Sequence, residues 1–276
     1  MHARSPDRTR RARRALALAV ASAVVVAGLA TVAITLRHHA TIIPGCTIAS
    51  GATSYSIDID QAVNAATIAA VGRKRGLPDH AATVAIAAAL QESQLHNLGY
   101  GDRDSLGLFQ QRPSQGWGTA QQLTTPTYAA NAFFDALARV PGWVDLPVTV
   151  AAQRVQRSAT PDAYANWEPE ARTLAAALTG EVPAGIACRF RLARSKQPPP
   201  AYAAGLTREL GISRVDAQVP APQAWTAAAW LTAHAQSLRI VAISLRGRRW
   251  TAASGRWRSS PPADGELVVQ QAAIAT

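Results

Sequence analysis

Between Ala81 and Glu92 the chain writes one helix face almost wholly in alanine. Stepping back from Glu92 by three and four residues meets Ala89 and Ala88, then Ala85 and Ala81. Residues at that spacing share a face. Side chains this small let partner helices approach closely, so the sequence demands a tightly packed helical surround at this point. The carboxylate that closes the face then stands where the close packing ends, partly withdrawn from water. Partial desolvation raises a carboxyl pKa. A general acid for glycoside cleavage needs such a shift, because it must hold a proton near neutral pH. A lone glutamate at a helix end is otherwise an ordinary surface residue, so its neighbours carry the weight.

Those neighbours form a pattern. The helix ends in Ala89-Leu-Gln-Glu-Ser-Gln-Leu-His-Asn97, and a glycine-rich stretch returns with Asp104-Ser-Leu-Gly-Leu-Phe-Gln-Gln-Arg-Pro113 and Gly116-Trp-Gly118. The pairing of Glu92-Ser93 with Gly107-Leu-Phe-Gln110 resembles the active-site signature of the lytic transglycosylases, in the lysozyme-like superfamily. These enzymes cleave the glycan strands of peptidoglycan. The resemblance spans roughly Asp58 to Cys188. It implies a mainly α chain: a lysozyme-like helical domain with a short irregular or β insertion, followed by a small C-terminal α+β module. It also implies Glu92 as the catalytic acid, Ser93 as the group that orients it, and Gly107, Gln110 and Gln111 along the saccharide site. Ser105 and Asn97 are polar liners of the same groove, and Leu108 and Phe109 pack its wall. Many members carry an Ala-Tyr-Asn-Ala-Gly segment whose tyrosine bonds near the glutamate. Here Ala163-Tyr-Ala-Asn-Trp167 stands in a similar region without the glycine, with Tyr164 as the counterpart.

The reaction itself stays open at this level. In the transglycosylases one glutamate protonates the glycosidic oxygen and then takes the proton of the sugar's own C6 hydroxyl, leaving a 1,6-anhydro product. A muramidase needs a second carboxylate to activate water. Asp102 and Asp104, ten and twelve residues after Glu92, are the candidates, although Asp-Arg-Asp in a glycine-rich loop also suits a turn with a local ion pair. A third reading is a wall-binding protein that keeps the groove without the activity. The six histidines and two cysteines have no zinc spacing, no Gly-x-Ser-x-Gly is present, and neither a metal nor a cofactor is expected.

Charge places the chain. Of the net +11, the first fourteen residues supply +5 through six arginines and one aspartate. The remaining +6 is spread thinly, without the dense basic stripe of a nucleic-acid binder. Ala15 to Leu36 then run without a charge. At about 1.5 Å per residue these span roughly 33 Å, close to the hydrocarbon thickness of a bilayer. The preceding arginines fix the N-terminus inside, which puts everything after Arg37 outside. The run reads as a single-pass membrane anchor, or as a signal segment cleaved near Gly28-Leu-Ala30 that releases a secreted protein. The expected partners are thus the membrane, through residues 15–36, and peptidoglycan. On the outside, disulfides persist. Cys46 and Cys188 bracket the motif region and read as a bond cinching its ends; two separate thiols or a lipidated Cys46 are the other possibilities. A bond closing so long a loop stabilises by up to about 4–5 kcal/mol in the chain-entropy account.

The organisation follows: a cytoplasmic basic tail at 1–14, the apolar segment at 15–36, a linker at 37–57 and the helical domain at 58–190. A Pro-rich linker at 191–200 leads to a module at 201–276, which holds four of the seven tryptophans. Asp58 is the expected N-cap of a first helix stopped by Gly76, and Pro78-Asp79 open a second that ends near Ser93.

Overall fold

Two antiparallel sheets frame the helices, and they overturn the expectation of a mainly α chain. The computed structural model describes residues 43–158, 160–214, 219–261 and 265–275. The basic tail and the uncharged 15–36 run lie outside these, so both readings of that run do too. Among the described residues no helix is long and apolar enough to cross a membrane.

The first sheet begins where a linker was expected. Strand β1 (Gly45–Ser50) turns through Gly51 into β2 (Thr53–Ile57), and Cys46 and Ile48 point inward at the period of two that a half-buried strand requires. Helix α1 (Ile59–Lys74) follows from a reciprocal cap: the Gln61 amide donates to Asp58 Oδ1 at 2.8 Å, and the Asp58 amide donates to Gln61 Oε1 at 3.0 Å. Helix α2 (Asp79–Ser93) carries the alanine face. Every residue from Ala81 to Leu90 is buried, so this helix is enclosed on all sides rather than amphipathic.

The surround that the alanines demanded is built from the later elements. After a short helix α3 (Ala120–Leu123) come α4 (Pro126–Ala138), α5 (Val148–Gln156), a 3₁₀ turn at Pro161–Trp167, and α6 (Glu168–Leu178). Helices α5 and α6 and the 3₁₀ turn all pack on α2, while α4 packs on α1. At that second contact a Cβ on Gly72 would sit 3.2 Å from the Phe134 ring, so the small residue sets the helix spacing.

Strand β3 (Ile186–Arg189) returns to pair with β1 on the side away from β2, placing Cys188 directly opposite Cys46. The two are joined by a disulfide with Cα atoms 3.9 Å apart, as the bracketing positions led us to expect.

Past the Pro-rich stretch, α7 (Tyr202–Leu210) and α8 (Ala221–Ala233) lie against α1. A second sheet of β4 (Ile240–Leu245), β5 (Arg248–Thr251), β6 (Arg256–Ser259) and β7 (Val268–Gln271) runs in the order β6-β5-β4-β7. Its tryptophans serve as packing and as fasteners. Trp250 Nε1 donates to the Cys188 carbonyl at 3.1 Å, and Trp257 Nε1 to the Ile186 carbonyl at 2.7 Å. Glu209, 4 % exposed, accepts from Thr67 Oγ1 of α1 at 3.0 Å and from Trp230 Nε1 of α8 at 2.8 Å. One continuous core therefore runs from Cys46 to Ala252.

Candidate active site

The end of α2 is fastened to α1. Gln94 and Leu95 leave the helix with positive φ, 51° and 62°. The last carbonyls of a helix lack partners within it. Here α1 helps to satisfy that end: Gln61 Nε2 donates to the Gln94 carbonyl at 2.9 Å, and buried Asn64 Nδ2 to the Leu95 carbonyl at 2.7 Å. This fixes the last turn, which carries Gln91, Glu92 and Ser93.

Ser93 does not reach Glu92. Its hydroxyl is shared between the carbonyls of Leu108, at 2.8 Å, and Ala89, at 3.1 Å. It thereby pins the returning 105–111 turn to the helix. That turn is closed by paired backbone bonds between Leu106 and Gln111 and hung from the Leu98 carbonyl through the Gly107 amide at 2.7 Å. Gly107 has φ 76°, and a Cβ there would run into the Leu123 carbonyl oxygen, so only glycine fits. Leu108 and Phe109 are fully buried, with Phe109 stacked on Phe133 at 4.7 Å, while Gln156 Nε2 of α5 donates to the Phe109 carbonyl at 2.8 Å.

The polar residues of the turn divide by role. Gln110 is half-buried with φ 47°, and its Nε2 donates to the Gly107 carbonyl at 3.1 Å. Ser105 is buried beneath the turn, its amide bonded to the Asp102 carbonyl. Asn97 is exposed and donates from Nδ2 to the Thr124 carbonyl at 2.7 Å. Gln111 is only 3 % exposed, and neither its amide nitrogen nor its oxygen has a protein partner. A buried amide in that state is unfavourable unless another group satisfies it.

Glu92 is half-buried, and its Oε1 accepts a hydrogen bond from the Tyr164 hydroxyl at 2.7 Å. Tyr164 is fully buried, which pushes its phenol pKa far above the usual range; the bond to Glu92 pushes the same way. The phenol is thus a permanent neutral donor. The 3₁₀ turn explains a partner that sequence reasoning missed. Side chains three apart on such a turn eclipse one another. Tyr164 and Trp167 therefore point the same way, and Trp167 Nε1 donates to Gln91 Oε1 at 2.8 Å. The signal available was the i, i+3 spacing of two aromatics after Thr160-Pro161, which reads equally as the start of an α-helix. Gln156 is a second such partner: it lies 47 positions from Phe109, and no local pattern links the two.

The two aspartates part company. Asp104 accepts from Arg112 Nε at 2.8 Å and from the amide and hydroxyl of Ser114 at 2.8 and 3.0 Å. The Arg112 guanidinium, then the Ser114 bonds, hold its carboxyl well below the usual carboxylate range. Asp102 is exposed and takes part through its backbone. Among the described residues no group of three or more His, Cys, Asp or Glu is placed to hold a metal ion.

The site is therefore a half-buried carboxyl at a fixed helix end, with one oxygen held by a donor that does not ionise. A glutamine-bearing turn is pinned beside it. Such a carboxyl can give and retake a proton without a second acid. No protein-family model matches the chain, and no curated protein matches it.

Proposed function

We propose that this chain cleaves the glycan strands of peptidoglycan as a lytic transglycosylase, with Glu92 as its one acid and base. The observation that carries the reading is the 2.7 Å hydrogen bond from the Tyr164 hydroxyl to Glu92 Oε1. It fixes the carboxyl's rotation, so that the second oxygen is the one that exchanges a proton with substrate. Protonated Glu92 gives its proton to the glycosidic oxygen as the bond to the anomeric carbon breaks. The carboxylate so formed is stabilised by the Tyr164 donor. It then removes the proton of the C6 hydroxyl, whose oxygen closes on the anomeric carbon. Glu92 is protonated again, and no water is consumed. The resemblance of Glu92-Ser93 and Gly107-Leu-Phe-Gln110 to the transglycosylase signature supports the same reading. In it, residues 15–36 anchor the protein in the membrane or serve as a cleaved signal, and the catalytic part lies outside.

The hydrolytic alternative has little to draw on. Asp104 is bound by Arg112 and Ser114, and a carboxylate so engaged is a poor base for water.

Mass spectrometry of digested peptidoglycan is the test. We expect anhydro-sugar termini, and Glu92→Gln should lower their release by about 10²–10⁴-fold with an unchanged melting temperature. Reducing termini would make the enzyme a muramidase. No product at all would leave a wall-binding protein.

A further inference from the structure

The charges of this chain are segregated, although the net value conceals it. Residues 43–183, which carry Glu92, hold twelve acidic and nine basic residues, whereas residues 184–276 hold four and twelve. Between Glu181 and Glu209 there are five cations and no acid, and between Asp216 and Asp264 six arginines and no acid. Strand β3 lies in the first of these stretches, and β5 and β6 lie in the second. An excess of one sign on this scale gives that part of the surface a field of its own.

The fold gathers some of the excess at one place. Arg189 of β3 and Arg256 and Arg258 of β6 line a cleft of about 450 Å³ together with Gly45 and Thr47 of β1, and no acidic residue lines it. Closing the cleft takes a glycine. Gly255, at φ 61°, brings the β5–β6 turn so close to β3 that a Cβ there would lie 2.5 Å from the Arg189 Cβ. Trp257 fastens the same contact by donating from Nε1 to the Ile186 carbonyl at 2.7 Å. Side chains alternate along a strand, so Arg256 and Arg258 take the face opposite Trp257. Arg249, the ladder partner of Arg258, turns away and donates to Ser244 Oγ at 3.0 Å and Gln270 Oε1 at 2.8 Å. The three arginines of the cleft are all exposed.

Charge alone would suit any polyanion, and position selects one. Gly45, in the cleft wall, comes nine positions after Leu36, where the uncharged run ends. Nine extended residues span at most about 30 Å. In an anchored chain Gly45 can stand no farther than that from the headgroups. On this short tether Ile43 is 86 % exposed, and an apolar side chain suits the boundary between headgroups and acyl chains. We infer that this basic face docks on anionic lipid headgroups and holds the folded part against the bilayer. The inference rests on the reading of residues 15–36 as a membrane anchor. Each cation near a charged bilayer contributes about a fivefold preference, so three amount to about a hundredfold.

The test is arginine footprinting of the full-length chain in lipid nanodiscs. One set is phosphatidylcholine alone, and the other contains phosphatidylglycerol as well. A dicarbonyl reagent modifies exposed guanidiniums, and mass spectrometry reads the product residue by residue. In the anionic discs Arg189, Arg256 and Arg258 should react slower by about fivefold or more. Arg139 and Arg154, exposed in the 43–183 part, should react alike in both. Added salt should remove the protection. Arg256→Gln/Arg258→Gln should return Arg189 in anionic discs to its neutral-disc rate. Arg256→Lys/Arg258→Lys should keep Arg189 protected, because a charged surface reads the charge and not the planar fork.

Equal reactivity in the two discs would overturn the inference. So would protection spread evenly over all exposed arginines, or protection of Arg189 that survives the double glutamine variant. If a soluble phosphodiester polymer protects the three arginines and anionic lipid does not, the face belongs to the cell wall and the inference is wrong. Failure of the anchor reading looks different. A chain that elutes apart from the discs has no tether, and the docking falls with it. A chain that enters the discs and shows no difference between them keeps the anchor and loses the docking.

Discussion

One phenol holds the Glu92 carboxyl in place. Tyr164 is buried and its pKa is driven up, so it stays a donor throughout the neutral pH range. Tyr164→Phe keeps the ring and removes only the hydrogen bond. A bond to a charged group is worth about 1.5–3 kcal/mol, so kcat should fall roughly ten- to a hundredfold. An unchanged kcat, measured by anhydro-sugar release, would show that the carboxyl needs no such partner. At this scale the sequence was readable but not complete. Glu92, Gly107, Gln110 and Tyr164 could be picked out because their types and order are unusual together. The place of Ser93 could not, because a hydroxyl next to an acid gives no hint that it turns to the Leu108 carbonyl. Asp102 and Asp104 looked interchangeable in sequence, and only the fold brings Arg112 and Ser114 onto one of them.

The 105–111 turn is an element with almost no repeat structure, and its shape depends on Gly107. A Cβ there meets the Leu123 carbonyl, and the backbone angle of 76° is unfavourable for any other residue. Gly107→Ala should destabilise the protein by at least about 1 kcal/mol from the backbone alone. It should also displace Gln110 and Gln111. The check is a lowered melting temperature together with a loss of activity larger than the loss of folded protein explains. The helices here were largely legible because caps and periodicity are local. Asp58 and Gln61 lie three residues apart and announce α1 by themselves. Among the strands, the apolar runs that became β4 and β7 were legible too, but the others were not. β1 holds Gly, Thr and Ser, the composition of a linker, and its partner β3 lies about 140 residues away, so no local window contains the pairing. β5 and β6 oppose Trp250 to Trp257 among arginines, a pattern that reads as a charged surface until the ladder aligns it.

At the scale of the whole molecule, the C-terminal residues join the helices through a buried polar knot. Glu209 bonds Thr67 and Trp230, Arg208 lies 3.0 Å from it, and His234 stacks on Trp230 at 4.0 Å. Burial pulls the His234 pKa down, more than Glu209 can offset. Below about pH 6.5 the unfolded chain gains a proton on this ring that the folded chain resists, so stability falls as pH drops through that range. Urea midpoints should decline from pH 7.5 to pH 5.5, and His234→Phe, which keeps the stacked ring, should flatten the decline. A slope unchanged by that variant would place the sensitive group elsewhere. The Cys46–Cys188 bond acts over a longer span, its ends 142 positions apart in sequence. Suppose a protease cuts once within that span, on an exposed loop such as the one around Pro141-Gly142. The two pieces remain a single covalent particle, still carrying Glu92 on one and Tyr164 on the other. On a denaturing gel the nicked protein should run undivided without reductant and split into two bands with it. Between those two conditions lies a form of the protein that is broken in sequence yet keeps both halves of its candidate site in one molecule.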